Sequence, residues 1–260
     1  MIDNIRQIAA EAGKAIMKTY SDPAQVVSKK DNSPLTQADR AAHDCIFAGL
    51  TKLTPYIPVL SEESEGISIE ERMTWKRFWL VDPLDGTKEF IKKTGQFTVN
   101  IALIENGEST LGVVLAPASD LEYFGIHGKG AFKREGLSNP IKINVSEVNN
   151  NKLRIVASRD HAGPKITTML EKLPSAELVS MGSSLKFCLI AEGQADLYPR
   201  FVPTMEWDTG AAQCILEEAG GSICTLDGYR LKYAKRDLRN RSIIAAGHPT
   251  IDWKALIPKD

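Results

Sequence analysis

The middle of the chain constrains the fold most, because it contains closely spaced short apolar runs rich in Val, Ile, Leu, Phe and Thr. These runs lie at 57–60, 78–81, 97–104 and 111–115. Runs of this kind between Gly, Asn and Asp turns are typical of β-strands. The last two flank Asn106 and Gly107, a dipeptide that favours a hairpin between antiparallel strands. The first half is therefore predicted to contain an antiparallel sheet, with another turn and short strand near 128–132.

Helical spacing precedes this sheet, and a mixed pattern follows it. Apolar residues fall on one stripe in the first twenty positions, and a second helix is predicted after the cap-like pair Thr36 and Asp39. Beyond 140, the predicted strands are 153–157, 178–181, 223–225 and 242–246, and the predicted helices are 165–173, 183–191 and 207–219. This order predicts an α+β or α/β layered sandwich with alternating α and β layers, with a mixed α/β second half.

Composition excludes several classes of protein. The 260 residues include 32 Lys and Arg and 33 Asp and Glu, so the formal charge is -1, and the basic surface of a dedicated nucleic-acid binder is not expected. Apolar stretches are too short to cross a bilayer, and the first residues do not form a secretory signal. The four cysteines show no C-x-x-C spacing, which argues against a zinc knuckle or a redox pair.

Four acidic motifs are the candidates for chemistry. They are T-Q-A-D ending at Asp39, S-E-E-S with Glu62, D-P-L-D-G-T with Asp82 and Asp85, and W-D-T-G with Asp208. Taken singly, each is better explained by a structural role, as a helix cap, an exposed loop or a turn.

The placement of Asp82 favours a metal. It directly follows an apolar run that is predicted to be buried, where a bare carboxylate is costly. Pro83 resists continuation of the strand and Gly86 permits a sharp turn, so Asp82, the Leu84 carbonyl and Asp85 could converge. Oxygen ligands without His or Cys suit Mg²⁺ or Mn²⁺.

In order and separation, S-E-E-S, W-L-V-D-P-L-D-G-T and W-D-T-G resemble the signature of the inositol monophosphatase superfamily of Mg²⁺-dependent, lithium-sensitive phosphatases. Longer stretches at 31–39, 82–92, 97–104 and 182–201 resemble its bacterial 3'(2'),5'-bisphosphate nucleotidases. The resemblance implies an inositol monophosphatase-like sandwich. We expect an N-terminal α+β metal-binding subdomain at 1–137 and a C-terminal α/β substrate-binding subdomain at 138–260.

The resemblance also implies roles for individual residues. The metal ligands would be Glu62, Asp82, Leu84 through its carbonyl, Asp85 and Asp208, with two or three Mg²⁺ per site and Mn²⁺ as an alternative. The catalytic group would be Glu62 with Thr87, which together orient the attacking water, and Asp39, which supports a weaker metal through water. Substrate contacts would come from Gly86, Thr87, His161, Ser183, Lys186, Arg200 and Asp208. Of these, the Gly86 and Thr87 N–H groups would hold phosphate oxygens.

The implied reaction is hydrolysis of adenosine 3',5'-bisphosphate to AMP and phosphate by metal-activated water, and also of its sulfated precursor. This activity would recycle a by-product of sulfate activation. Inositol or sugar phosphatase activity, and a non-catalytic sensor of nucleotide or Mg²⁺, remain as alternatives because the metal motifs do not select the substrate. The expected partner is a small bisphosphorylated nucleotide. We expect a monomer, with a dimer as the alternative, in the cytoplasm, either free or peripheral on the inner membrane.

Overall fold

Two large β-sheets and the helices around them make up the fold. The computed structural model describes residues 1–20, 26–28, 34–147, 152–157 and 163–258. The helices are α1 (Ile2–Tyr20), α2 (Gln37–Leu53), α3 (Ile69–Arg72), α4 (Thr87–Ile91), α5 (Pro164–Glu171), α6 (Leu185–Ala191), α7 (Glu206–Glu218) and α8 (Trp253–Leu256). The strands are β1 (Val26–Ser28), β2 (Pro34–Thr36), β3 (Val59–Ser61), β4 (Arg77–Asp85), β5 (Thr98–Glu105), β6 (Glu108–Ala116), β7 (Leu121–Ile126), β8 (Gly130–Glu135), β9 (Ile141–Ile143), β10 (Arg154–Ala157), β11 (Glu177–Ser180), β12 (Leu197–Arg200), β13 (Thr204–Met205), β14 (Ser222–Thr225), β15 (Arg239–Asn240) and β16 (Ile243–Ala246).

The first sheet has seven strands in the order β3-β4-β5-β6-β7-β8-β9. β3 runs parallel to β4, and every other neighbouring pair is antiparallel. Glu105 pairs with Glu108 across the Asn106–Gly107 turn, and both turn residues have positive φ. The predicted hairpin and antiparallel sheet are therefore confirmed.

Both faces of this sheet are apolar, because its strands contain continuous runs of apolar residues. On β4, Trp79 and Val81 join the core beneath α1 and α2, whereas Phe78 and Leu80 join the core shared with α6 and α7. Successive strand side chains point to opposite faces, so continuous apolar runs of this kind require helices on both sides. The sheet is thus an inner layer.

The second sheet has the order β11-β10-β12-β16-β14, with β10 parallel to β11 and β12 and the remaining pairs antiparallel. Ile243 and Ala245 of β16 face the core with α6 and α7, whereas Ile244 and Ala246 face the outer core near α5 and α8. Helices and sheets therefore alternate in five layers, in agreement with the predicted layered sandwich and its mixed second half.

Helix α7 lies unusually close to the first sheet because two strands have glycine beneath it. A Cβ on Gly112 would lie 2.1 Å from the Ala211 carbonyl oxygen, and one on Gly125 would lie 2.9 Å from the Ile215 Cα. Only glycine leaves room for such an approach of backbones. The two glycines thus set the position of α7, whose first turn carries Asp208.

Several short elements were not predicted, including β7, β12 and the two-residue pair β13 and β15. The largest core cluster contains residues from both predicted subdomains, and the boundary at 137 stays a prediction. No helix in the described ranges is long and apolar enough to cross a membrane.

Candidate active site

The irregular end of β4 carries two of the predicted acidic residues, Asp82 and Asp85, and a turn at Gly86 follows it. β4 pairs with β5 at Asp82 opposite Asn100, and the register then shifts before Asp85. Within the turn, Leu84 N–H donates to Asp82 Oδ1 at 3.1 Å, and the Thr87 hydroxyl donates to the Leu84 carbonyl at 3.4 Å. Gly86 has φ 93°, a left-handed conformation that glycine adopts without strain, and α4 begins immediately after it. The chain therefore folds back on itself around Asp82.

Three other elements add carboxylates to this turn. Asp39 is buried in the first turn of α2, Glu62 follows β3, and Asp208 lies in the first turn of α7. Glu62 N–H donates to the Val81 carbonyl at 3.0 Å, so the parallel pairing of β3 and β4 places it beside Asp82. We call Asp39, Glu62, Asp82, Asp85 and Asp208 the carboxylate cluster.

The carboxylates of the cluster raise one another's pKa values. Asp82 is only 2% exposed, and burial together with the charges of Glu62, Asp85, Asp208 and Asp39 raises its pKa well above 3.8. Burial and the charge of Asp85 likewise raise the pKa of Asp208 to about 8. Like charges held together in a buried place favour the protonated form unless a cation neutralises them. The cluster therefore carries an excess of negative charge that a bound cation would relieve.

Asp85 is held from one side by serines before α6. Its Oδ2 accepts from the Ser184 backbone N–H at 2.7 Å and from the Ser183 hydroxyl at 2.6 Å. The Ser184 hydroxyl lies 2.8 Å from the same oxygen, and Asn100 Nδ2 donates to that hydroxyl at 2.9 Å. Sequence reasoning missed Ser184 and Asn100. It also predicted that Ser183 contacts the substrate. That contact stays a prediction, and in this structure the Ser183 hydroxyl donates to Asp85.

Asp208 is fixed by the start of its own helix. Its Oδ2 accepts the Met205 N–H at 2.8 Å. Two residues earlier, Glu206 is fully buried and accepts from Lys235 Nζ at 2.6 Å and from the backbone N–H of Ala234 at 2.9 Å. These bonds fix the first turn of α7 to the 232–240 loop. Sequence reasoning missed Glu206, although a Glu directly before the W-D-T-G motif was visible.

Glu62 is positioned through its neighbour Ser61. The Ser61 hydroxyl lies 2.9 Å from His43 Nδ1 and accepts the Glu63 N–H at 3.3 Å. His43 lies one turn after Asp39 on α2, so this contact connects the Glu62 turn to the helix that carries Asp39. Neither His43 nor Ser61 was a candidate at the level of sequence.

The cluster fits a hard divalent cation by its donor chemistry. The hydrogen bonds described above use Oδ1 of Asp82, Oδ2 of Asp85 and Oδ2 of Asp208, and each carboxylate keeps a second oxygen. Among the described residues, no three His, Cys, Asp or Glu side chains already form a metal-binding arrangement. An all-oxygen donor set suits Mg²⁺ or Mn²⁺ rather than zinc.

Two basic side chains lie beside the cluster. Lys186 on α6 is 8% exposed, and burial lowers its pKa to about 8 against the opposing effect of Asp85. Its Nζ lies 5.5 Å from the Tyr198 ring centroid. Arg200 ends β12 near enough to lower the pKa of Lys186 further, and its buried Nε has no hydrogen-bond partner among the described residues. A buried, unpartnered donor is costly, which indicates a place for an anion.

The space next to Arg200 continues into a cavity of about 190 Å³ between β12 and the start of α5, lined in part by Ala157, Tyr198 and Phe201. His161, predicted to contact substrate, lies outside the described residues. Gly86 and Thr87 are half-buried at the turn, next to the carboxylate cluster.

The chain is similar to known proteins over most of its length. The chain matches the model of the inositol monophosphatase family over residues 1–257. It is 49% identical over 240 residues to the 3'(2'),5'-bisphosphate nucleotidase CysQ of Escherichia coli (strain K12), covering 91% of this chain and 95% of that protein. CysQ of Buchnera aphidicola (subsp. Acyrthosiphon pisum) is 46% identical over 236 residues, which cover 90% of this chain and 88% of that protein.

Solved structures show the same likeness. CysQ from Bacteroides thetaiotaomicron superposes with a TM-score of 0.82 at 40% identity, covering 94% of this chain and 96% of the other. The extragenic suppressor protein suhB from Bartonella henselae gives a TM-score of 0.80 at 26% identity, with 98% and 96% covered.

Proposed function

The chain belongs to the inositol monophosphatase family, and we propose that it is a Mg²⁺-dependent 3'(2'),5'-bisphosphate nucleotidase. Its reaction is hydrolysis of the 3'-phosphate of adenosine 3',5'-bisphosphate to give AMP and phosphate. Relatives that are 46% to 49% identical over most of the chain are named 3'(2'),5'-bisphosphate nucleotidases, which supports this proposal. The sulfated precursor is a second substrate in this proposal.

One observation carries the choice of substrate: a pair of cations, the buried Lys186 and the half-buried Arg200, lies beside the carboxylate cluster. The cluster with its cation can serve only the phosphate that is cleaved. A second, uncleaved phosphate needs its own positive charge, and Lys186 and Arg200 supply that charge. In addition, the buried Nε of Arg200 has no hydrogen-bond partner among the described residues and can donate to a phosphate oxygen. Lysine and arginine form charge-assisted hydrogen bonds to phosphate. A substrate with two phosphates fits this site better than a monophosphate.

The residues proposed to hold the metal are Glu62, Asp82, the Leu84 carbonyl, Asp85 and Asp208, with Asp39 supporting a further ion through water. Bound Mg²⁺ would lower the pKa of a water and neutralise charge on the phosphate. Two or three ions, and replacement by Mn²⁺, are part of the proposal.

The side chains of the turn orient the water and the phosphate. Glu62 accepts a proton from the attacking water, and the Thr87 hydroxyl, which lies 3.4 Å from the Leu84 carbonyl oxygen, fixes the water's second hydrogen bond. The N–H groups of Gly86 and Thr87 bind oxygens of the reacting phosphate. Ser184 and Ser183 keep Asp85 in place, so the site is organised before substrate arrives.

The cavity of about 190 Å³ beside Arg200 is the proposed place of the nucleoside. Arg200 is part of its lining, so a 5'-phosphate bound by Arg200 would direct the adenosine toward it. His161 is proposed as a further contact to the base or phosphate.

The deciding experiment compares kcat/KM for adenosine 3',5'-bisphosphate, inositol 1-phosphate and fructose 1,6-bisphosphate with Mg²⁺, with and without lithium. We expect the nucleotide to be preferred and lithium to inhibit. A preference for inositol phosphate would favour the alternative phosphatase, and no phosphate release from any substrate would favour a sensor.

The variant Lys186→Ala tests whether Lys186 binds the uncleaved phosphate of the nucleotide. We expect a loss of about tenfold to a hundredfold in kcat/KM for the nucleotide, as for one charge-assisted hydrogen bond, and a much smaller loss for inositol 1-phosphate. Lys129→Ala, which changes an exposed lysine far along the chain in the β7–β8 turn, is the control. Equal losses on all three substrates would refute the assignment.

A further inference from the structure

A second cavity, of about 770 Å³, lies away from the carboxylate cluster and the cation pair. Its walls are the loop that follows β14 and the segment through β15, and none of the residues proposed for catalysis lines it. The volume is within the range of small-molecule sites, roughly 300 to 1,000 Å³.

The cavity is lined by more basic than acidic side chains, in a chain whose formal charge is -1. Its basic lining residues are Arg230, Lys232, Lys235, Arg239 and Arg241, and its acidic ones are Asp227 and Asp237. Cations gathered in a concave surface raise the local concentration of anions.

Three of the five cations already have carboxylate partners. Arg230 binds Glu217 at 2.6 Å, Lys235 binds Glu206 at 2.6 Å, and Lys232 binds Glu108. The guanidinium groups of Arg239 and Arg241 form no ion pair or hydrogen bond within the described ranges. Among the described residues, Arg239 and Arg241 are therefore the lining cations whose side chains stay available to a ligand, while Asp227 and Asp237 in the same lining offset part of the positive charge.

The two arginines are placed side by side. They are separated by one residue, Asn240, which is buried and donates to the Met205 carbonyl and to the Thr209 hydroxyl, each at 3.0 Å. Asn240 is buried, whereas Arg239 and Arg241 are exposed and both line the cavity, so the two arginines share the side opposite to Asn240. Two residues apart, their Cα atoms are separated by at most about 7 Å.

The wall that carries them is fixed before any ligand binds. Arg72, buried on α3, donates to the carbonyls of Lys235 and Arg236. Glu206 accepts the Ala234 and Lys235 N–H groups at 2.9 and 3.0 Å. A preformed wall reduces the entropy lost on binding.

We propose that this cavity binds an anion with two linked phosphate groups, one on each of Arg239 and Arg241. Guanidinium groups bind phosphate oxygens in a bidentate manner, and two of them two residues apart on one side of the chain match a diphosphate. Tyr229 also lines the cavity and is 74% exposed, so its ring is open to the base of a nucleoside diphosphate. The site goes beyond the phosphatase reaction and does not depend on it.

Isothermal titration calorimetry on the full chain tests the proposal, with inorganic pyrophosphate as the probe and EDTA present so that no metal recruits the probe to the carboxylate cluster. We expect one site, weakened at least tenfold in the double variant Arg239→Ala/Arg241→Ala and kept in Lys186→Ala. The double variant Lys18→Ala/Lys129→Ala removes two exposed lysines elsewhere and controls for net charge.

Three results would overturn the proposal: no binding at millimolar pyrophosphate, binding lost in Lys186→Ala but kept in Arg239→Ala/Arg241→Ala, or equal weakening in the lysine control. Both arginines are exposed and unpaired, so their removal should leave the melting temperature and the phosphatase activity unchanged. Titration with ADP distinguishes a site for nucleoside diphosphates from a site for inorganic pyrophosphate. Tighter binding that Tyr229→Ala removes identifies a nucleoside diphosphate, and equal affinity identifies the inorganic ion.

Discussion

Replacing Asp208 with Asn tests the carboxylate cluster most directly. Burial and the charge of Asp85 raise the pKa of Asp208 to about 8 in the metal-free protein. Asparagine has the same shape, and its Oδ1 can accept the Met205 N–H that Asp208 accepts at 2.8 Å. The substitution therefore removes the group that titrates and leaves the start of α7 intact.

The expected change in the free energy of unfolding follows from the linkage between protonation of Asp208 and folding. An unfolded Asp is ionised above pH 3.8, whereas Asp208 in the folded protein holds a proton up to pH about 8. The stability of the metal-free protein therefore falls as the pH rises from about 4 to about 8. Holding that proton at pH 7 costs about 4 kcal/mol, since each pH unit corresponds to about 1.4 kcal/mol. Neighbouring carboxylates share this cost, so we expect Asp208→Asn to stabilise the metal-free protein by about 2 to 4 kcal/mol.

The assay is urea denaturation in EDTA at pH 5 and pH 7.5, repeated with Mg²⁺. In EDTA, the wild type should lose stability between the two pH values and Asp208→Asn should lose much less. With Mg²⁺ the order should reverse, because the cation stabilises the wild type and the variant has lost a ligand. Its kcat should fall by at least about a hundredfold.

Asp44→Asn, an exposed carboxylate on α2, is the matched control and should change none of these quantities. If Asp208→Asn were no more stable than the wild type in EDTA, the cluster would not carry excess negative charge. If Mg²⁺ stabilised the variant as much as the wild type, Asp208 would not be a metal ligand.

Three further substitutions test other parts of the site. Asp82→Asn should abolish phosphate release while circular dichroism shows a folded protein; near-normal turnover in a folded variant would contradict the metal assignment. Ser184→Ala leaves the buried Asn100 amide without its acceptor and should cost about 1 to 3 kcal/mol in urea denaturation, with more Mg²⁺ needed for half-maximal activity; an unchanged Mg²⁺ requirement would argue against a positioning role. Gly112→Ala forces a Cβ against the α7 backbone and should cost at least about 1 to 3 kcal/mol, whereas Gly163→Ala, with open space around it, should cost much less; equal effects would refute the close-approach argument.

Short sequence motifs predicted the helices and strands whose ends are set by neighbouring residues in the chain. The β5–β6 hairpin follows from the Asn106–Gly107 turn, and α7 ends at 218, just before the paired glycines that the sequence shows there. β12 was missed because it has only four residues and includes Pro199, which cannot donate to a ladder. Its strand conformation depends on β10 and β16 on either side, which are distant in sequence.

The same division holds for the site. The sequence by itself determined the acidic residues, since motifs such as D-P-L-D-G-T combine chemistry and turn geometry within a few positions. Only the tertiary structure revealed what holds them: Ser184 and Asn100 at Asp85, and His43 beside the Glu62 turn. Hydrogen bonds between residues 18 to 99 positions apart leave no local pattern, because only folding brings the partners together. For the same reason, the sequence showed the carboxylates but not the excess of buried charge that their convergence creates.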